Sequence, residues 1–182
     1  MSKKIAIISG SIRKEGYSTQ LAKAMQPLFP EGYETEIVEI GHLPLYNQDF
    51  DAETQPESYT AFRKKMGEKD AVLFITPEHN RTIPAALKNA LDVGSRPYGQ
   101  SVWDGKPAAI ISNSPGLLGA FGANHHLRQV LTFLNMPILQ QPEAYLSRIN
   151  ELLDGDGGFK SENTLKFAQS FLDAFLEHID RY

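Results

Sequence analysis

The residues best suited to chemistry lie in three short polar segments, each following directly on an apolar run. The first is Gly10-Ser11-Ile12-Arg13-Lys14-Glu15-Gly16-Tyr17-Ser18-Thr19-Gln20. It combines the hydroxyls of Ser11, Ser18 and Thr19 with the Arg13 guanidinium, and it feeds into a helical pattern whose leading N–H groups attract an anion. By composition this is a phosphate pocket. It lacks the closing Gly-Lys-Ser/Thr of a triphosphate-binding loop, and the spacing from Gly10 to Gly16 does not match GxGxxG. Neither a nucleotide triphosphatase nor an ordinary dinucleotide fold is therefore favoured. The same residues also suit a plain polar loop in which Ser18 caps the helix and Arg13 points into solvent.

The second segment is Thr76-Pro77-Glu78-His79-Asn80-Arg81-Thr82. Pro77 stiffens the turn, backbone amides and the Asn80 amide could grip the edge of a planar heterocycle, and His79 could lie against its face. Two other readings stay open: Glu78 and His79 as an acid–base pair for hydrolysis, or an exposed turn capping the next helix. No serine nucleophile elbow or metal set accompanies the pair. In the third segment, Ser112 to Gly119, Ser114 and Gly116 permit close approach of a ligand. Leu117, Leu118 and Phe121 beside them suit covering a ring, meeting another subunit, or packing under a loop. Tyr98 and Trp103 are ring-wall candidates or ordinary core and rim aromatics. His125 and His126 are adjacent, so they point about a hundred degrees apart on a helix and make a poor metal pair.

The sequence has no cysteine, which excludes disulfides, thiolate nucleophiles and cysteine-ligated metals. Redox chemistry would have to come from a bound cofactor. A chain of 182 residues suits one domain, 1–182. The 18 basic residues against 22 acidic ones form no basic run, which argues against nucleic acid or an anionic membrane as a partner. The apolar stretch near the N-terminus, Ile5–Ile8, is far too short for a signal core or a membrane span, and a cytoplasmic protein is expected.

Positioning these segments falls to a regular alternation of elements. The runs Ile5–Ile8, Ala71–Ile75 and Ala108–Ile111 lack polar alternation, as central strands buried on both faces do. Tyr33–Glu39 alternates and belongs at a sheet edge, and Pro137–Gln140 is expected as the last strand, at the other edge. Helical stripes are expected at Leu21, Ala24, Met25 and Leu28; at Tyr59, Phe62 and Met66; at Leu87 and Leu91, with Thr82 as N-cap and Pro84 in the first turn; at Leu127, Val130, Leu131 and Leu134; and at Leu165, Ala168, Leu172, Phe175 and Ile179. The result is a β-α alternation in an α/β, three-layer sandwich with a five-stranded parallel sheet, order 2-1-3-4-5, the flavodoxin-like arrangement. Gly41–Gln55 reads as a long irregular connection, and Asp154–Gly158 as a flexible turn.

Together, IAIISGSIRKEGYSTQLA, LPLYNQD, TPEHN and HLRQVLTFLN resemble the NADPH-dependent FMN reductase family, particularly its bacterial chromate and quinone reductase branch. The resemblance spans nearly the whole chain. It implies noncovalent FMN, with NADPH or NADH as cosubstrate, and ping-pong transfer to a small acceptor: a quinone, chromate, an azo or nitro compound, or free flavin. Ser11, Arg13, Ser18, Thr19 and Gln20 would hold the phosphate, and Pro77, Glu78, His79 and Asn80, with Ser114 and Gly116, the isoalloxazine. No side chain need be catalytic, and a homodimer or homotetramer is implied. Three departures stand out: Gly16 in place of a common serine with Ser18 at the usual asparagine, His79 for the tyrosine of PEYN, and Ala120 and Gly122 where the branch tends to have glycine and arginine. The first would weaken the phosphate grip by about 1 kcal/mol, restorable by Thr19. The alternative is a flavodoxin-type electron carrier, and more remotely a flavin-free hydrolase.

Overall fold

Alternate residues of each central strand face opposite sides, so an unbroken apolar strand must be covered twice. In the computed structural model, which describes residues 2–51 and 55–182, this is what happens. Five parallel strands, β1 (Lys3–Ser9), β2 (Tyr33–Ile37), β3 (Ala71–Thr76), β4 (Ala108–Asn113) and β5 (Ala144–Leu146), line up in the order β2-β1-β3-β4-β5. Six helices accompany them: α1 (Tyr17–Met25), α2 (Glu57–Gly67), α3 (Ala85–Gly94), α4 (Phe121–Phe133), the single-turn α5 (Ile149–Leu152) and α6 (Glu162–Ile179).

Ala6, Ile8, Val72, Phe74, Ala108 and Ile110 meet α2, α3 and α4 on one face. Ile5, Ile7, Leu73, Ile75, Ala109 and Ile111 meet α1 and α6 on the other. Both cores are fed by the expected stripes. Leu21, Met25, Tyr59, Met66, Leu87, Leu127, Leu131, Leu172 and Phe175 are all fully buried, whereas Leu165 is 39% exposed, one turn outside the α6 seam. Trp103 resolves as core: its ring packs against Phe62 and Phe74 and its Nε1–H donates to the Leu91 carbonyl at 2.9 Å.

Four expectations need correction. The last strand is Ala144–Leu146, not Pro137–Gln140. Ile138 makes only an isolated parallel bridge to Ala108, and the chain re-enters the sheet beyond Pro142, which has no N–H to give a ladder. Thr82 does not cap α3; that helix starts at Ala85 with Pro84 at its N-cap, while Thr82 pairs with His79. Asp154–Gly158 is a tied turn, because the Asp154 carboxylate accepts the N–H groups of Asp156 and Gly158. The connection after β2 is not irregular throughout: it forms a 3₁₀ turn at Gln48–Asp51, and residues 52–54 of it lie outside the described residues. Among the described residues no helix is long and apolar enough to cross a membrane.

Phe74 is completely buried between the sheet and the α2–α4 layer. Phe74→Ala is expected to cost about 3–5 kcal/mol, read as a lower urea midpoint; a cost below about 1 kcal/mol would mean that this layer is not close-packed.

Candidate active site

In a doubly wound sheet the loops leaving the C-terminal ends of the strands share one rim. Here the loops after β1, β3 and β4 are bolted to each other there. Gly10 N–H donates to the Ile75 carbonyl at 2.8 Å, tying the first loop to the end of β3. Ser18, at the start of α1, and Asn113, at the end of β4, are both buried and bonded side chain to side chain, Asn113 Nδ2 donating to Ser18 Oγ at 2.9 Å. The same amide reaches the Thr76 carbonyl at 3.4 Å. One buried asparagine thus joins all three loops.

The first loop closes on itself. Gly16 N–H donates to the Arg13 carbonyl, and Thr19 Oγ1 reaches the same oxygen. Ser11 Oγ accepts from Arg13 N–H at 3.3 Å, and Gln20 Nε2 donates to the Glu15 carbonyl. A Cβ at Gly16 would fall 2.4 Å from Ser11 Oγ. The glycine that departs from the common serine is what lets Ser11 fold over the loop. Gly16 is also the N-cap of α1 and brings no side-chain cap, so the leading N–H groups of this helix stay open to an anion. Arg13 is exposed and enters none of the ion pairs among the described residues. Ser18 differs from expectation: its hydroxyl faces Asn113, so what it can offer a ligand is its backbone N–H.

The second loop turns back in two residues. His79 and Thr82 exchange both backbone hydrogen bonds, at 2.9 and 3.0 Å, across Asn80 and Arg81, whose φ values are 51° and 67°. Two successive left-handed residues are a strained arrangement that asparagine tolerates and arginine rarely adopts; such strain concentrates at ligand clamps. Pro77 holds the loop's root: its carbonyl accepts from Thr76 Oγ1 at 2.8 Å. Glu78 is engaged by the start of α4 and by its own loop. Its Oε2 accepts the Ala123 N–H at 3.0 Å and its Oε1 the Arg81 guanidinium at 3.2 Å. The N-cap of α4 is Ala120, which has no side chain able to accept, so Glu78 caps that helix from another loop. Gly122 makes room for it, since a Cβ there would lie 2.9 Å from Glu78 Oε2.

In the third loop Ser114 Oγ donates to the Gly116 carbonyl, which also takes the Arg148 N–H. Asn124, fully buried in α4, donates to Ser112 Oγ, and Ser112 donates to the Gly119 carbonyl at 2.7 Å, so the loop is held from behind. Leu117, Leu118 and Phe121 are exposed. Phe121 packs at a tilt against His125 and Tyr145, which stack on each other, and the Tyr145 hydroxyl meets His125 Nε2 at 3.1 Å. Burial, aided by the Glu143 carboxylate, pushes the Tyr145 phenol up to about 12, so it stays protonated at neutral pH.

His79 and Asn80 line a cavity of about 920 Å³ together with Tyr46, Thr82, Ile83, Arg96, His126 and Phe133. Ile83, Val130, Phe133 and Leu134 give it an apolar wall, Lys88, Asp92 and Arg96 bring charge to its lining, and the cavity runs between α3 and α4. Ser11, Arg13, Thr19, Gln20, Ser114 and Gly116 do not line it; they stand on the joined first and third loops. His126 is turned into it, its Nδ1 2.9 Å from Thr82 Oγ1. Tyr98, a ring-wall candidate in sequence, is 91% exposed and lies outside it. Asn113, Asn124 and Tyr46 were not singled out from sequence. The available signal was a polar residue closing an apolar strand in AAIISN and another among the apolar positions of the fourth helix.

Residues 3–151 match the family model described as NADPH-dependent FMN reductase. A quinone reductase of Pseudomonas putida is 53% identical over 175 residues, which cover 96% of this chain and 94% of that one. A 2-hydroxy-1,4-benzoquinone reductase of Burkholderia sp is 44% identical over 175 residues, 96% of this chain and 95% of the relative. Among solved structures, FerB, a flavoenzyme NAD(P)H:(acceptor) oxidoreductase from Paracoccus denitrificans, superposes with a TM-score of 0.90 at 40% identity, covering 98% of each chain.

Asn113→Ala should unlink the three loops, leaving Ser18 Oγ buried without its amide partner. The expected loss is about 1–3 kcal/mol of stability in urea denaturation. An unchanged midpoint would show that the loops hold their places independently.

Proposed function

Since the chain belongs to the NADPH-dependent FMN reductase family, we propose that it is an FMN-dependent NAD(P)H oxidoreductase that reduces quinones. FMN asks for an anion cradle beside a place for a flat ring. The uncapped N-terminus of α1 with Arg13 free beside it answers the first need, and the strained His79–Thr82 turn facing the third loop answers the second. The joining of those three loops through Asn113 is the observation that carries the reading.

On this reading the phosphate sits among Ser11, Arg13, Thr19, Gln20 and the backbone N–H of Ser18. The isoalloxazine edge is met by the turn of Pro77, His79 and Asn80 and by Ser114 and Gly116, with Glu78 holding loop and helix in register rather than touching the ring. Bound there, the flavin supplies the redox chemistry, accepting a hydride from NADH or NADPH and delivering it to the acceptor. The protein supplies position. Among the loop residues the part of Arg13 is electrostatic, since a guanidinium offers an anion several N–H donors in a fixed fork. His79 presents a smaller ring than the usual tyrosine, which widens the acceptor side.

Quinones head the acceptor panel because the Pseudomonas putida and Burkholderia relatives are named for them; chromate, azo dyes, nitro compounds and free flavin complete it. A homodimer or homotetramer and a cytoplasmic setting belong to the same proposal. Support for self-association comes from the exposed apolar side chains Leu117, Leu118, Phe121 and Phe133, and light scattering on the purified protein tests it.

Two measurements follow. The purified protein should be yellow and oxidise NADH or NADPH steadily with a benzoquinone or naphthoquinone, giving parallel double-reciprocal lines. A flavin-loaded protein that turns over no nicotinamide would instead be an electron carrier. Arg13→Ala should weaken FMN binding about tenfold, the value of one charge-assisted contact, without lowering the melting temperature of the FMN-free protein; unchanged affinity would remove Arg13 from the pocket.

A further inference from the structure

The segment Leu43-Pro44-Leu45-Tyr46-Asn47-Gln48-Asp49, part of the connection after β2, is not among the residues assigned to the flavin, yet buried side chains of α2 and α3 hold its backbone. Asn89, buried in α3, donates from Nδ2 to the carbonyls of Leu43 and Pro44 and accepts the Tyr46 N–H on Oδ1 at 2.8 Å. The Tyr59 hydroxyl donates to the Leu45 carbonyl at 2.8 Å. A mid-helix asparagine whose three hydrogen bonds all go to one passing strand of backbone fixes that strand's height on the helix.

The far end of the segment is held by a charge. Arg63 is nearly buried; its Nε donates to the Val93 carbonyl at 2.8 Å, one terminal nitrogen to Gln55 and the other to Asp51 at 3.2 Å. The second oxygen of Asp51 accepts the Tyr46 hydroxyl at 2.5 Å. Burial, with the Asp51 carboxylate adding to it, raises the Tyr46 phenol above its ordinary pKa, so at neutral pH it remains a donor to Asp51. The Tyr46 ring is therefore tethered at both ends, by its backbone N–H and by its hydroxyl. It stacks on Tyr59 at 6.5 Å on one side, and it lines the cavity that contains His79 and Asn80.

We propose that Tyr46 is a specificity-determining residue for the acceptor, an aromatic wall of the cavity between α3 and α4, and that Asp51 and Arg63 are positioning residues that act through it. The inference rests on the quinone reductase reading. The cavity carries an apolar wall of Ile83, Val130, Phe133 and Leu134 beside the Tyr46 ring, with Lys88, Asp92 and Arg96 among its other lining residues, and it includes His79 and Asn80 of the turn assigned to the flavin edge, so a flat aromatic acceptor with polar oxygens is the ligand its chemistry suits. A ring held without rotational freedom discriminates by width, because it cannot swing aside for a broader acceptor and presents a full face to a matching one.

The test compares wild type, Tyr46→Ala, Tyr46→Phe, Asp51→Asn and the double variant Tyr46→Ala/Asp51→Asn as FMN-loaded enzymes. The readouts are kcat and KM for 1,4-benzoquinone and 1,4-naphthoquinone, and calorimetric binding of 2-naphthol, which is not reduced. The expected result is a five- to tenfold change in the naphthoquinone-to-benzoquinone ratio of kcat/KM for Tyr46→Ala, about the worth of one aromatic contact. It should fall on KM rather than kcat, with 2-naphthol weakened in parallel, and Tyr46→Phe, which keeps the ring but loses the hydroxyl tie to Asp51, should match Asp51→Asn rather than Tyr46→Ala. Asp51→Asn should shift the ratio the same way in wild type and add nothing on the Tyr46→Ala background. A ratio and a 2-naphthol affinity in Tyr46→Ala within about twofold of wild type would overturn the wall, and additive effects of the two substitutions would overturn action through it. If wild type reduced neither quinone, the quinone reductase reading would fail, and 2-naphthol binding alone would decide Tyr46.

Discussion

The site depends on a single buried side chain. Asn113 ends β4 as the strand leaves the sheet, and its amide bonds both neighbouring loops at once, through Ser18 and the Thr76 carbonyl. A buried amide must be paired or it destabilises the fold. That requirement converts three independent strand exits into one rim. Ser18 sits one residue inside α1, so fixing it also fixes where the open N–H groups of that helix point.

Around this rim the remaining polar side chains mostly hold backbone. Glu78 caps α4 across a loop boundary, Ser112 and Asn124 brace Gly119, and Asn89 and Arg63 brace the segment that carries Tyr46. Most of these groups are buried, where a hydrogen bond left unmade is costly, so the geometry they impose is stiff. Among the described residues, those left uncommitted include the Arg13 guanidinium, the N-terminus of α1, and the Asn80 and His79 side chains at a left-handed turn. Chemistry that a flavin brings with it needs position and charge more than it needs an acid or a base, and those are what the uncommitted groups offer.

Much of this was legible in the sequence because it follows from periodicity. Unbroken apolar runs located β1, β3 and β4, the alternating Tyr33–Glu39 located the edge strand, which ends two residues earlier at Ile37, and Gly and Pro marked the strand exits. β5 was misplaced because it is three residues long and its partner pairing is tertiary, while the more hydrophobic Pro137–Gln140 offers the stronger local pattern. The site residues were legible as a set of segments but not in their individual duties. Ser18 and Glu78 have the composition of ligand contacts, yet each is drawn inward by a partner 95 or 45 residues away, which no local pattern encodes. Tyr46 and Asn89 were hidden for the same reason, their pairing being 43 residues apart.

The claim that the joined loops cradle one flavin mononucleotide is tested most directly by titrating flavin-stripped protein with FMN and with riboflavin, following quenching of flavin fluorescence. One FMN per chain should bind, and riboflavin, which lacks the phosphate, at least about tenfold more weakly. Equal affinity for the two, or no quenching by either, would mean that the first loop is not a phosphate cradle and that the three loops meet for some other purpose.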